Sequence, residues 1–331
     1  MPSSVRNRLL CLVLLAFPFA EHNALAVIVF GPGTGQNTTA PTGAFQNSGW
    51  QYEGAWGAGA GTEIATNWFL TAKHLAGNIG DTFVANGLSY TTTGYVDDPS
   101  GTDLRLWRIA QNFTNFAPIY SKGDEVSGNQ IVSVFGRGTA RGGEIDGPNG
   151  AQGYAWGASN GQLSWGANRV AFITTDRTGP AGDFLALNFS ATAPLGVPAS
   201  ATVTAGDSGG GLFIKDTDGV WKLAGVNYAV DGPYSLSQGS GYFNAALYDQ
   251  RGFYIGAPGA NTFVLNNPGG AVPQNTYASR VSTEFGFINA VTGVPEPSSL
   301  ALVALGLSIV GLGMARRRAA SLTTRVRPAG D

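Results

Sequence analysis

The stretch Thr202-Val203-Thr204-Ala205-Gly206-Asp207-Ser208-Gly209-Gly210-Gly211-Leu212-Phe213-Ile214 decides how the rest of the chain is read. A serine set among glycines can sit on a tight loop with its hydroxyl uncovered, and the missing side chains let backbone N–H groups converge on one point. Such a loop suits a nucleophile with an oxyanion hole. A bare hydroxyl is a weak nucleophile, so the loop needs a base to take its proton and a carboxylate to orient that base. The chain has two histidines, His22 and His74. His22 lies in an N-terminal leader, which leaves His74 in Trp68-Phe69-Leu70-Thr71-Ala72-Lys73-His74-Leu75. One histidine in the body also argues against a zinc site, which needs several His or Cys ligands. No metal and no cofactor is expected.

Leu70-Thr71-Ala72-Lys73-His74, followed far downstream by Gly206-Asp207-Ser208-Gly209-Gly210, resembles the trypsin and chymotrypsin family of serine peptidases. Between them, Thr102-Asp103-Leu104-Arg105-Leu106-Trp107-Arg108-Ile109 resembles the family strand that carries the triad carboxylate. The order His, Asp, Ser is also distinct from that of subtilisins and α/β-hydrolases. The resemblance implies an all-β fold of two Greek-key six-stranded β-barrels with a short C-terminal helix. It makes Ser208 the nucleophile, His74 the general base and Asp103 the carboxylate, with the backbone N–H groups of Gly206 and Ser208 as the oxyanion hole. Asp97 and Asp98 are rival carboxylates; the alternation Leu104, Leu106, Ile109 favours Asp103 at the head of a buried strand.

Further roles follow from the same resemblance. Val27-Ile28-Val29-Phe30-Gly31 is similar to the start of activated family members, whose α-ammonium folds inward onto the aspartate before the nucleophile. Here Val27 would pair with Asp207. Thr202 falls near the base of the primary specificity pocket, where an aspartate would select Lys or Arg. Asn227-Tyr228-Ala229 stands where the family has Ser-Trp-Gly, lining that pocket and pairing with substrate backbone. Small or medium neutral side chains are the expected preference.

The two ends speak to address. Arg6 and Arg8, an apolar run from Leu9 to Phe19 and then Ala24-Leu25-Ala26 form the pattern of a secretory signal peptide over residues 1–26. The single cysteine, Cys11, lies inside it, so no disulfide is expected in the exported protein. Val294-Pro295-Glu296-Pro297, an uncharged apolar run read as a transmembrane helix over 299–315, and Arg316-Arg317-Arg318 together resemble the PEP-CTERM sorting tail of Gram-negative bacteria. That resemblance implies signal peptidase and an exosortase as processing partners. The expected address is the periplasm, cell surface or exterior, with a transient inner-membrane anchor.

Between the ends, 49 glycines in 331 residues favour short strands joined by many turns. Net charge is −2 with no basic stripe, which excludes a nucleic-acid partner. The body divides into a barrel over 27–121, a second barrel with its closing helix over 122–293, and the tail 294–331. Ala55 to Gly61 and Thr62 to Thr71 read as two strands, and residues 146–168 as a long surface loop. Gly211 to Lys215 and Lys222 to Tyr228 flank a hairpin turn, and Tyr277 to Ile288 leads into the closing helix, with Val281, Phe285 and Ile288 on one face. The functional expectation is a serine endopeptidase acting on protein or peptide substrates through an acyl-enzyme. Its rivals are a catalytically silent binding module of the same fold, a structural surface protein with the same tail, and an esterase.

Overall fold

A computed structural model describes residues 26–127, 130–159, 161–175, 179–266 and 268–293. The expected signal peptide, apart from its last residue Ala26, and the apolar run 299–315 lie outside the described residues, among which no helix is long and apolar enough to cross a membrane.

Aromatic residues meeting glycines build the first half. Six strands, Glu53–Trp56, Gly59–Ala65, Trp68–Ala72, Thr82–Ala85, Leu88–Asp97 and Leu104–Ile109, form a closed antiparallel barrel. The third strand pairs with the sixth and the fourth closes onto the first, a Greek-key path. Inside, Phe69 and Phe83 stack with ring centroids 4.1 Å apart, and Trp56, Tyr90 and Trp107 pack around them. A Cβ at Gly54 would come within 2.2 Å of the Phe83 ring, so the glycine supplies the space the aromatic fills. The expected pair Ala55 to Gly61 and Thr62 to Thr71 is in fact three strands. Gly57, at φ +54, turns the chain between the first two, and every residue of Gly59–Ala65 is buried, so no alternation marks where that strand ends.

The second half is a half-barrel in place of the expected second closed six-stranded barrel. Its seven strands run in the order Ser164–Arg169, Ile131–Gly136, Gly211–Lys215, Trp221–Val230, Gln274–Arg280, Phe184–Phe189, Phe172–Thr174. The two edge strands are successive pieces of one stretch, broken at Val170 and Ala171. At that break Val170 N–H donates to the Gln130 carbonyl at 3.4 Å and Ala171 N–H to the Ala186 carbonyl at 2.8 Å, while Asn168 Nδ2 donates to the carbonyls of Asn188 at 3.0 Å and Ala201 at 2.7 Å. Val132, Leu185, Leu187, Leu212, Ile214 and Ala224 fill the interior.

Residues 146–168 are not a surface loop. Gly150–Ser159 pairs with Thr139–Gly147 on one side and Ala245–Leu247 on the other. Its glycines mark close approach rather than looseness: a Cβ on Gly153 would lie 2.4 Å from the Ala246 carbonyl oxygen.

The closing segment also differs from expectation. Gln274–Arg280 is a strand, and the helix begins only at Phe285, running Phe285–Thr292 after a 3-10 turn at Ser282–Glu284. Val281 and Ile288 are buried, whereas Phe285 is only half-buried. At the end of that strand the Arg280 guanidinium binds buried Glu125 at 2.6 Å and part-exposed Asp183 at 2.9 Å, which ties the linker near residue 122 to the sheet.

Candidate active site

His74 sits on a 3-10 turn, Lys73–Leu75, that continues the barrel strand Trp68–Ala72. The neighbouring strand Leu104–Ile109 pairs Leu104 with Ala72, which sets Asp103 beside the turn. The Lys73 N–H donates to the Asp103 carbonyl at 2.9 Å and the His74 N–H to Asp103 Oδ1 at 2.9 Å. The backbone is therefore clamped before the rings are considered. His74 Nδ1 lies 2.6 Å from Asp103 Oδ2, and Nε2 lies 2.9 Å from Ser208 Oγ. A carboxylate only accepts, so Nδ1 carries the proton and Nε2 is left to accept from the serine hydroxyl.

The rival carboxylates are engaged elsewhere. Arg105 holds Asp97 through Nε at 2.5 Å and Nη2 at 3.0 Å, and Lys73 Nζ lies 3.4 Å from it. Asp98 accepts from the Ser100 amide and hydroxyl and from the Thr102 hydroxyl. Asp103, 4 % exposed, faces the imidazole.

Ser208 comes from the other half of the molecule. Its loop is held against the barrel by the Ala60 N–H donating to the Ser208 carbonyl at 2.9 Å. The amides of Asp207, Gly209 and Gly210 donate to the carbonyls of Thr204, Asn227 and Asp207. Those of Gly206 and Ser208 meet no acceptor among the described residues. Gly209 has φ +80, and a Cβ there would come within 2.1 Å of the Ala60 carbonyl oxygen and 2.3 Å of Thr71 Oγ1. The two halves meet too closely for any side chain.

Asp207 is fully buried and accepts from Gly138 N at 2.7 Å, Thr204 N at 2.6 Å and Thr204 Oγ1 at 3.0 Å. Val27 N is 3.4 Å from its Oδ2. Ala26 precedes Val27, so the donor here is a peptide N–H where an α-ammonium was expected. Burial pushes the Asp207 carboxyl up to about 6, against the lowering effect of these donors. A cation at the Val27 position would oppose that desolvation.

A cavity of about 170 Å³ opens beside Ser208, lined by Trp156, Val203, Ala205, Tyr228, Ala229 and Val230 among others. Thr202 does not line it. The Thr202 hydroxyl lies behind the wall, 2.8 Å from Thr276 Oγ1, and accepts from Gln274 Nε2 at 3.0 Å. Tyr228 stands edge-on to His74 with ring centroids 5.9 Å apart. Asn227 touches the cavity, yet its amide nitrogen is directed at the loop carbonyls of Phe135 at 2.7 Å and Asp207 at 3.2 Å. It braces the Ser208 loop.

Three contributors went unnoticed in the sequence. Trp156 belongs to the stretch read as a loop. Glu53 accepts from the Gly211 N–H at 3.2 Å and from Thr62 Oγ1 at 2.8 Å, directly beneath the Ser208 loop, and burial pushes its carboxyl up to about 8. Arg141 donates to the carbonyls of Val29 at 3.1 Å and Gly31 at 2.6 Å and lies over the Tyr154 ring, fastening the segment that carries Val27. A lone Glu or Arg in a strand carries no sequence mark of such a role.

The PEP-CTERM protein-sorting motif matches residues 293–318. It indicates export to the envelope or surface of a Gram-negative bacterium and processing by exosortase-type machinery. No curated protein matches the chain.

Proposed function

We propose that the exported body is a serine endopeptidase. The observation that carries this reading is the continuous line from Asp103 Oδ2 through the two nitrogens of His74 to Ser208 Oγ, with links of 2.6 and 2.9 Å, beside two backbone amides with no acceptor of their own. In the first step Ser208 Oγ attacks the scissile carbonyl carbon while His74 Nε2 takes its proton, and Asp103 stabilises the imidazolium. The carbonyl oxygen, now an oxyanion, accepts from the Gly206 and Ser208 amides; one such donor contributes about 3 kcal/mol. The tetrahedral adduct collapses, His74 gives its proton to the departing amine, and an acyl-Ser208 ester remains. Water, deprotonated by His74, attacks that ester and releases the acid.

The walls beside Ser208 carry no charged group, which supports cleavage after a neutral side chain. The cavity is close to the roughly 150 Å³ that accommodates benzene in an engineered protein core. The Val27 contact supports a mature N-terminus at that residue, formed by removal of the leader. N-terminal sequencing of the exported protein is expected to begin at Val27, and a start well away from it would end that part of the proposal.

The deciding experiment is labelling with a serine-reactive fluorophosphonate, followed by mass spectrometry. Wild type is expected to label at Ser208, and Ser208→Ala and His74→Ala not to label. Unlabelled wild type would leave a binding module on the same fold.

A further inference from the structure

The cavity beside Ser208 has a neighbour. A broad groove of about 740 Å³ is lined by Ile145, Ala155, Trp156, Ala205, Leu236 and Phe243 together with Thr139, Gly157 and Asn244. Trp156 and Ala205 belong to both. Ala205 immediately precedes Gly206, so the groove borders the loop that carries the two acceptor-free amides. The smaller hollow around His74, with Lys73, Arg105 and Pro180, shares no lining residue with it and is flanked by charge.

The groove is built as a firm surface. Thr139 and Ile145 come from the strand Thr139–Gly147, and Ala155, Trp156 and Gly157 from its hydrogen-bonded partner Gly150–Ser159. Tyr234 and Phe243 exchange backbone hydrogen bonds at 2.9 and 2.8 Å, which fixes one wall. No Asp, Glu, Lys, Arg or His lines either the groove or the cavity, and Leu236 stands 55 % exposed at the rim. An apolar side chain left this open on a firm wall gains by being covered.

We propose that this groove is a second substrate pocket, which takes an apolar side chain of an extended polypeptide a few residues from the bond at Ser208. The inference rests on the peptidase reading for what Ser208 does and deepens it by naming the substrate class: an unfolded or extended chain with two neutral anchors, one in the cavity and one in the groove. Continuity decides between occupants. A chain whose carbonyl oxygen meets the Gly206 and Ser208 amides has Ala205 as its next neighbour, and Ala205 opens onto the groove.

The test uses internally quenched peptides with a constant residue at the scissile bond and one leucine moved through the three positions on either side. Wild type is expected to favour one leucine position by about tenfold in kcat/KM, the factor that about 1.4 kcal/mol of apolar burial supplies. Leu236→Lys, at an exposed site, is expected to abolish that preference, and Leu236→Met to keep it. All three proteins should react equally with a small fluorophosphonate. A flat leucine series, or a preference that survives Leu236→Lys, overturns the pocket. Calorimetry of the same peptides on Ser208→Ala separates the two readings: leucine-dependent binding without fluorophosphonate reaction in wild type removes the peptidase and keeps the groove. A wild-type dimer in sedimentation that Leu236→Lys dissolves would assign the groove to a second copy and overturn the proposal.

Discussion

The two halves of the molecule bring their parts to one centre by different means. The barrel delivers His74 and Asp103 from the ends of two directly paired strands, so ladder register sets their spacing. The half-barrel delivers Ser208 from a glycine loop whose shape depends on buried polar groups: Asp207 inside it, Asn227 behind it and Glu53 below it. A change to His74 or to the Ser208 hydroxyl itself can therefore remove reactivity and leave the fold. A change to one of the buried groups that shape the Ser208 loop disturbs both, because each is sealed from water with a fixed set of partners.

The comparison is sharpest where the effect is largest. His74→Ala and Ser208→Ala are each expected to lower kcat on the order of 10⁶-fold, and Asp103→Asn about 10⁴-fold. For the two part-exposed sites the unfolding free energy should move by no more than about 0.5 kcal/mol. Peptide turnover and urea denaturation check both halves of the statement. A destabilised His74→Ala protein would break the contrast.

Glu53 gives the next largest effect. Its folded carboxyl titrates at about 8 against an ordinary 4.5, so across that interval the folded state keeps a proton the unfolded state has lost. Stability then falls as pH rises from about 4.5 to 8, by an amount on the order of 5 kcal/mol, and the whole penalty is present above 8. Glu63 is also raised by burial to about 8 and adds to the same slope. Glu53→Gln is expected to flatten roughly half of it in denaturant titrations at pH 5, 6.5 and 8. An unchanged slope would remove Glu53 from the support of the nucleophile loop.

Gly209→Ala tests the contact between the halves. With its Cβ 2.1 Å from the Ala60 carbonyl oxygen at φ +80, the substitution forces the loop and the barrel apart. A loss of about 1–3 kcal/mol is expected, with fluorophosphonate reactivity falling alongside it. Reactivity retained at full rate would mean the loop tolerates movement away from the barrel. The smallest effect concerns the cavity wall: Ala229→Gly should widen the accepted residue by about one methyl group, shifting preference by roughly 1 kcal/mol toward larger neutral side chains. A substrate profile dominated by arginine or lysine would contradict the uncharged lining.

Legibility followed the same division. The barrel strand Leu88–Asp97 is readable around Tyr90 and Thr92, which are buried between exposed Ser89, Thr91 and Thr93 and so write a period of two into the sequence. Gly59–Ala65 is dry on both faces, and its ends were lost. Gly150–Ser159 is masked differently: glycines required for close strand approach have the composition of a turn.

The chain by itself determined which atoms could do chemistry and where the protein is addressed. A serine among glycines, a single histidine in the body and an aspartate heading an apolar strand leave few alternatives, because nucleophilic catalysis demands particular functional groups, and the sorting tail is a contiguous string. Only the tertiary structure decided that the second barrel stays open along one seam, that Asn227 faces the loop, that Thr202 sits behind the wall, and that Trp156 lines two cavities. Each of these depends on a partner dozens of residues away, such as Ala201 against Asn168 or Thr276 against Thr202. Such partners are set by packing and buried hydrogen bonding, which no local pattern records.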